Sequence, residues 1–186
     1  MRGMANRGLM MINGDRVLLR DVNENDWYDV HQYASQAIVC KYQPWGPNTI
    51  TESQTFVKEA VVDLKKSPRK RFVFAIIVKQ TEKLIGVIEL NIRDENNRIS
   101  EVGYIIHPEY WGQGFATEAA KLMINYSFTQ LNMHRIYATC DPRNTGSSKV
   151  LEKIGMTLEG RMRQDLLLKD GWRDSLLYSI LEHEWQ

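Results

Sequence analysis

His107-Pro108-Glu109-Tyr110-Trp111-Gly112-Gln113-Gly114-Phe115-Ala116-Thr117-Glu118-Ala119 carries an apolar strand into a helix through a glycine turn. At such a junction glycines let a ligand approach the backbone closely, and the first helical N–H groups have no intrahelical partners. A phosphate there meets hydrogen-bond donors and the positive end of the helix dipole together. The spacing itself is unspecific. Gly112-x-Gly114 is neither the G-x-G-x-x-G dinucleotide fingerprint nor a P-loop with its Gly-Lys-Ser/Thr ending. A tight turn with one glycine to spare accounts for the same residues, so the neighbouring segments have to decide.

Upstream of the turn, Phe72 to Val78, Leu84 to Ile92 and Arg98 to Ile106 are β-rich and separated by turn-prone residues, which predicts a meander. Before them, Arg16 to Val22 reads as a first strand and Asn25 to Gln36 as a helix with Trp27, Val30 and Tyr33 or Ala34 inward. Tyr42-Gln43-Pro44-Trp45-Gly46-Pro47 is a rigid loop. A second helix follows, with Thr51-x-x-Gln54 resembling a capping box and Val57, Val61 and Leu64 at helical spacing until Ser67-Pro68. Downstream, Ala116, Ala119, Ala120, Met123 and Ser127 form one helical stripe, small enough for close packing on a sheet. Arg135 to Cys140 is a strand, and Asn144 to Ile154 a short helix closed by Gly155. Leu158 to Leu168 and Ser175 to Glu182 are two strands joined near Lys169-Asp170-Gly171. The order predicts an α/β protein of the α+β mixed-sheet type, in one domain spanning residues 1–186.

With 186 residues, the chain is long enough to bury about 70% of its unfolded surface without disulfide or metal staples. Its 24 Lys and Arg nearly balance 23 Asp and Glu, leaving a formal net charge of +1. Nucleic-acid binders carry a basic excess, so no direct nucleic-acid partner is expected. Phe72 to Val78 is the longest apolar run, at seven residues against the roughly 20 a membrane span needs, so no membrane partner is expected. Met1 to Met11 lacks an apolar signal core and reads as a flexible leader, assigned to residues 1–10, which makes a cytoplasmic location the expectation. Cys40 and Cys140 stand far apart without metal spacing, as two reduced thiols would.

Two motifs, strand-turn-helix and strand-helix-Gly, stand in order about thirty residues apart. Together they resemble the Gcn5-related N-acetyltransferase (GNAT) superfamily, across nearly the whole chain. Glu101-Val102-Gly103-Tyr104 followed by Pro108 to Ala119, and the tail from Gly171-Trp172-Arg173-Asp174 through Tyr178-Ser179-Ile180-Leu181, are similar to the branch that acetylates the N-termini of ribosomal proteins. The resemblance implies a central, mostly antiparallel twisted sheet of about seven strands flanked by about four helices. It implies acetyl-coenzyme A as cosubstrate and no metal. The pyrophosphate would rest on the backbone of Gly112, Gln113, Gly114, Phe115, Ala116 and Thr117. The pantetheine would lie beside Ile105, Ile106 and His107 and against Asn144. The superfamily writes the turn as Gln/Arg-x-x-Gly-x-Gly/Ala, and Trp111 departs from its first position. Backbone amides make most of such a cradle, so the departure is expected to matter little. A homodimer is common in the branch.

Moving an acetyl group from a thioester to an amine requires a neutral amine, a polarised carbonyl and a protonated leaving thiol. An α-amino group, with a pKa near roughly 7.7–8.0, needs only a modest base. Glu101 is the first candidate, acting through water and matching by position the strand glutamate of histone-type members; a salt-bridged strand glutamate is the alternative. Glu89 and His107 are rivals, though His107 precedes Pro108 and fits a purely conformational role. A backbone N–H near Ile106 suits the oxyanion. Many superfamily members place a tyrosine seven residues after the second motif's asparagine; here that position is Leu151. In the ribosomal-protein branch a serine three residues after the asparagine takes the thiol-side role, and Ser147 fills that place. It equally fits a third-position helix serine beneath Asn144. Lys149 either adds charge at the coenzyme or is a surface lysine.

Tyr42, Trp45 and the first two helices are expected to line the acceptor groove. The leading acceptor is a protein α-amino group. A polyamine or aminoglycoside acceptor would favour an acidic cleft, left open by Asp21, Glu24, Asp26 and Asp29. A coenzyme A sensor without catalysis is the reading from another class.

Overall fold

The computed structural model describes residues 10–168 and 170–185. In chain order the elements are β1 (Met11–Asn13), β2 (Val17–Asp21), α1 (Trp27–Ala34), α2 (Ala37–Cys40), α3 (Ile50–Leu64), β3 (Arg71–Val78), β4 (Lys83–Asp94) and β5 (Ile99–Ile106). There follow α4 (Phe115–Thr129), β6 (Arg135–Cys140), α5 (Thr145–Lys153), β7 (Thr157–Leu168) and β8 (Gly171–Leu181). All eight strands form one sheet in the order β1-β2-β3-β4-β5-β6-β8-β7. Every neighbouring pair is antiparallel except β5 with β6. Among the described residues no helix is long and apolar enough to cross a membrane.

β3 shows why the sheet sits where it does. Its residues from Phe72 to Val78 are all buried, as in a strand covered on both faces. Phe72, Phe74, Ile76 and Val78 join the cluster beneath α4 and α5, whereas Val73, Ala75 and Ile77 join the one beneath α1, α2 and α3. The small residues expected on α4 behave as read: Ala119, Ala120, Met123 and Ser127 are fully buried and Ala116 partly so. Each fully buried side chain the size of Met123 or Ile124 stabilises by about 1.5–3 kcal/mol.

Several boundaries differ from the sequence reading. β1 begins just after the expected leader of residues 1–10, and Met10 is bonded to β2: Asp21 N donates to Met10 O at 3.0 Å and Met10 N to Asp21 Oδ2 at 2.8 Å. Residues 1–9 lie outside the described residues, as does Lys169 of the expected hairpin turn. With β1 and α2 the described residues form eight strands and five helices, where about seven and about four were expected. β1 and α2 are too short to show a period. The capping box of α3 is Thr49 with Glu52, not Thr51 with Gln54: Glu52 N donates to Thr49 Oγ1 and Thr49 N to Glu52 Oε2. Thr49 is the residue in extended conformation, so the helix begins after it. This rotates the inward face of α3 to Ser53, Val57, Ala60 and Asp63. β8 begins at Gly171 rather than Ser175, which brings Arg173 into the sheet.

Glu118, in the first turn of α4, fastens that helix to the start of β2. Its Oε1 accepts from Arg16 N at 2.7 Å and Val17 N at 3.0 Å, and its Oε2 from Arg16 Nε at 3.1 Å. Partial burial would raise the carboxyl's pKa, but these bonds outweigh it and hold the group below its ordinary 4.5. The native protein then binds fewer protons here than the unfolded chain. The stabilisation is full above the unfolded value and is lost as pH falls through the lowered native value. Glu118→Gln should therefore cost about 1.5–3 kcal/mol in urea unfolding at pH 7, and the gap from the parent protein should narrow by pH 3. An unchanged gap at pH 3 would remove the carboxylate charge from the explanation.

Candidate active site

The parallel pair gives the site its shape. β5 and β6 are paired only through Ile99↔Arg135, Ser100↔Ile136 and Glu101↔Tyr137, although β5 runs on to Ile106 and β6 to Cys140. Beyond Glu101 the strands part. β5 stays with β4 as far as Gly86↔Ile106, so it cannot follow β6. Gly86 permits this closeness, because a Cβ there would lie 2.1 Å from Ile105 O. A cleft of about 1470 Å³ opens at the parting. Glu101, Tyr104, Ile105, Asn144 and Ser147 line it, with Tyr42 and Trp45 on the wall before α3.

At the end of β5 the chain makes the glycine turn. His107 accepts from Glu109 N through Nδ1 at 3.3 Å and its own N–H donates to Ile85 O at 2.7 Å, so the imidazole starts the short 3-10 turn of Pro108–Tyr110. The conformational reading of His107 thus has a concrete form. Gly112 and Gly114 have φ of +72° and +85°, the left-handed region that favours glycine, and nothing lies within 4 Å of a Cβ built on Gly112. Among the described residues no side chain caps α4, so its first amides point outward unsatisfied. This is a fit for a pyrophosphate.

Trp111, whose departure was expected to matter little, and Arg16, given no role beyond opening the first strand, hold the turn in place. Trp111 Nε1 donates to Ile106 O at 2.7 Å, which ties the turn to the strand it leaves. The indole thus has a fastening role at the position where the superfamily writes Gln or Arg. Arg16 Nη1 donates to Gln113 O at 3.0 Å, and its guanidinium lies 4.7 Å above the Phe115 ring. Arg16 is nearly a hundred positions from its partners, and no local pattern signals it.

On the other side of the parting, Asn144 caps α5. Its Oδ1 accepts from Ser147 N at 3.1 Å, leaving its Nδ2 for other partners. The helix-start role of Ser147 is therefore carried by its backbone. Its hydroxyl instead lies 3.3 Å from the Tyr104 hydroxyl, which spans from β5 to α5 across the gap. Leu151, where a tyrosine was absent, is 1% exposed in the core. The sheet supplies a phenol near the place that the helix leaves without one. Burial pushes the Tyr104 phenol well up, the bond to Ser147 offsetting only part of this, so it stays neutral near pH 7. Tyr104 stood inside the quoted motif, and only the register of β5 against α5 shows where it points. Lys149 is exposed on α5.

The candidate carboxylates are differently occupied. Both oxygens of Glu89 accept from Arg71, at 2.9 and 3.2 Å. Glu101 takes its two Arg93 bonds on Oε2 alone, so Oε1 is the better placed of these oxygens to face a water. Asp21, Glu24, Asp26 and Asp29 do not line the cleft. Asp21 pairs with Arg69 and Asp26 with Arg20, because they fasten α1 and the β3 approach to β2. Glu101, Ile105, Asn144 and Ser147 thus come together in one cleft, while His107 and Gly112 to Thr117 lie apart at the end of β5.

A parted parallel pair, with an uncapped helix start beyond the end of β5, fits the acetyltransferase resemblance of the motifs. The chain belongs to the acetyltransferase (GNAT) domain family, whose model matches residues 16–157, and is an acetyl-coenzyme A-dependent N-acetyltransferase. It is 35% identical to the Bacillus subtilis N-acetyltransferase YnaD, over 95% of this chain and 99% of that one. It is 29% identical to the Escherichia coli spermidine N(1)-acetyltransferase, covering 94% and 91%, and 26% identical to the E. coli [ribosomal protein uS5]-alanine N-acetyltransferase, covering 92% and 90%. The crystal structure of a GNAT-family acetyltransferase from Bacillus anthracis superposes with a TM-score of 0.83 at 34% identity, over 94% of this chain and 99% of that one.

If Gly86 is what keeps β5 on β4, Gly86→Ala should destabilise the protein by about 1–3 kcal/mol or more through overpacking. Gly103→Ala, where a Cβ meets nothing within 4 Å, should cost far less. Thermal unfolding of the two variants checks the difference, and equal losses would refute it.

Proposed function

We propose that this chain moves the acetyl group of acetyl-coenzyme A onto the α-amino group of a protein N-terminus, with a ribosomal protein the first acceptor to assay. The charge of the cleft carries the reading. Six carboxylates line it against four guanidinium groups, and the carboxylates of Glu89, Glu101 and Asp141 are each bonded to an arginine. A polyamine with several ammonium groups calls for uncompensated carboxylates. A single amine on a largely neutral peptide suits a cleft this nearly balanced. The ribosomal-protein relative supports the same reading; the spermidine relative favours a polyamine as the second.

Bound acetyl-coenzyme A supplies the thioester that the amine attacks, forming the C–N bond and releasing the thiol. The amides from Gln113 to Thr117 bind its pyrophosphate and Asn144 Nδ2 its pantetheine. Glu101 receives a proton from the amine through water. A backbone N–H near Ile106 binds the oxyanion. Ser147 Oγ–H donates its proton to the leaving sulfur as the C–S bond breaks and regains one from water, while the neutral Tyr104 hydroxyl holds the serine through their 3.3 Å contact.

Thiol release from acetyl-coenzyme A, assayed over N-terminal peptides, spermidine and aminoglycosides, tests the acceptor. Peptides should turn over fastest; turnover of spermidine without peptides would overturn the proposal in favour of a polyamine. No release with any acceptor, despite tight coenzyme binding, would leave a sensor. Ser147→Ala should lower kcat by about a hundredfold and leave acetyl-coenzyme A affinity nearly unchanged, with Tyr104→Phe lowering it less. Turnover equal to the parent would remove both from the proton path. Glu101→Gln should slow the reaction most below about pH 7, where the α-amine is protonated; a loss equal at every pH would make Glu101 structural.

A further inference from the structure

Arg173 is 9% exposed, and among the described residues no carboxylate is bonded to it. It sits near the start of β8, three residues before the Cys140↔Leu176 pair where β6 ends. There it forms part of the wall between the cleft and a smaller recess of about 370 Å³. Its Nη1 donates to Tyr42 O at 2.7 Å and its Nη2 to Ser175 Oγ at 3.0 Å, while among the described residues its buried Nε has no partner. Of the acids that line the recess with it, Asp141 gives its carboxylate to Arg143, which donates to it from Nε at 3.0 Å and Nη2 at 2.7 Å, Asp174 accepts from Arg161, and Asp170 stands beside them. The other well-covered arginines are treated differently. Arg20, Arg69 and Arg71 each meet a carboxylate directly, in Asp26, Asp21 and Glu89.

A guanidinium taken out of water and bonded only to neutral oxygens is costly. Fastening the Tyr42 carbonyl would need a donor but not a charge. The planar fork of an arginine, with its Nε–H unpartnered among the described residues, is the shape that matches a carboxylate. We propose that Arg173 binds a carboxylate carried by the acceptor, so that the protein selects N-termini with an acidic side chain within their first few residues. The inference rests on the peptide reading of the acceptor. In it the α-amine lies at Glu101 and Ser147, and the chain runs along the same cleft past Tyr42 to Arg173.

The test uses the full-length protein, acetyl-coenzyme A and C-terminally amidated peptides that carry Asp or Glu, against Asn or Gln, at each of positions two to five. One acidic position should raise kcat/KM by at least about tenfold, the scale of one hydrogen-bonded charge pair. Short neutral peptides with a free C-terminus form a second arm; a gain confined to them would overturn the side-chain assignment and make the bound carboxylate a terminal one. Arg173→Gln should bring the acidic-to-neutral ratio to about one, and Arg173→Lys should restore part of it. A variant that slows acidic and neutral peptides equally would show that Arg173 only fastens the Tyr42 loop. Should Arg173→Gln fail to fold, the peptide series on the parent protein still decides, since equal turnover of acidic and neutral peptides overturns the inference alone. Turnover of spermidine with no peptide turned over would overturn the acceptor reading and this inference with it.

Discussion

Three paired residues on each strand are all that join β5 to β6, and the active site depends on that contact ending where it does. A parallel ladder continued to Ile106 would close the sheet and leave no cleft. β5 is prevented from continuing by its other neighbour: the pairing with β4 persists to Gly86, and the glycine lets Ile105 O approach to a distance no side chain would tolerate. The parting then sets the rest. It exposes the edge of β5 at Ile105, aims Tyr104 across the gap at Ser147, and leaves α5 to supply Asn144 from the opposite side.

The glycine turn was legible in the chain because it is local. Gly112 and Gly114 adopt the positive φ that their identity suggested, and α4 begins directly after them with its small residues inward. β3 announced itself by unbroken apolar character, which a strand covered on both faces requires, and β4 and β5 by β-rich composition between turn-prone residues. Where the reading slipped, the determinant was short or distant. β1 and α2 are below the length at which a period can be seen. The cap of α3 moved by two residues because two threonine-led pairs compete there, and backbone conformation rather than spacing decides between them.

The acceptor half was legible only in outline. Tyr42 and Trp45 do line the cleft. The acidic residues near α1 do not, since each strongly held one answers an arginine elsewhere in the sheet. Composition counts charges without saying which are already paired, and here pairing is the informative quantity. Arg71 with Glu89 and Arg93 with Glu101 cancel within the cleft wall, so those two carboxylates add little net charge to it.

Seen together, the two halves obey different constraints. On the proposed function the turn offers backbone amides to a ligand that does not vary, so its requirement falls on a few consecutive residues whose conformation glycine makes possible. The acceptor wall is assembled from a loop before α3, the edges of β4 and β5, and the first residues of β8, which are brought together only by the sheet order. Substituting one of these wall residues changes charge or shape without disturbing the turn or the Ser147–Tyr104 contact. Chains with the same donor site can therefore differ in the amine they accept, and the relatives at 29% and 26% identity, with a polyamine and a ribosomal protein in their names, have the divergence such a division allows.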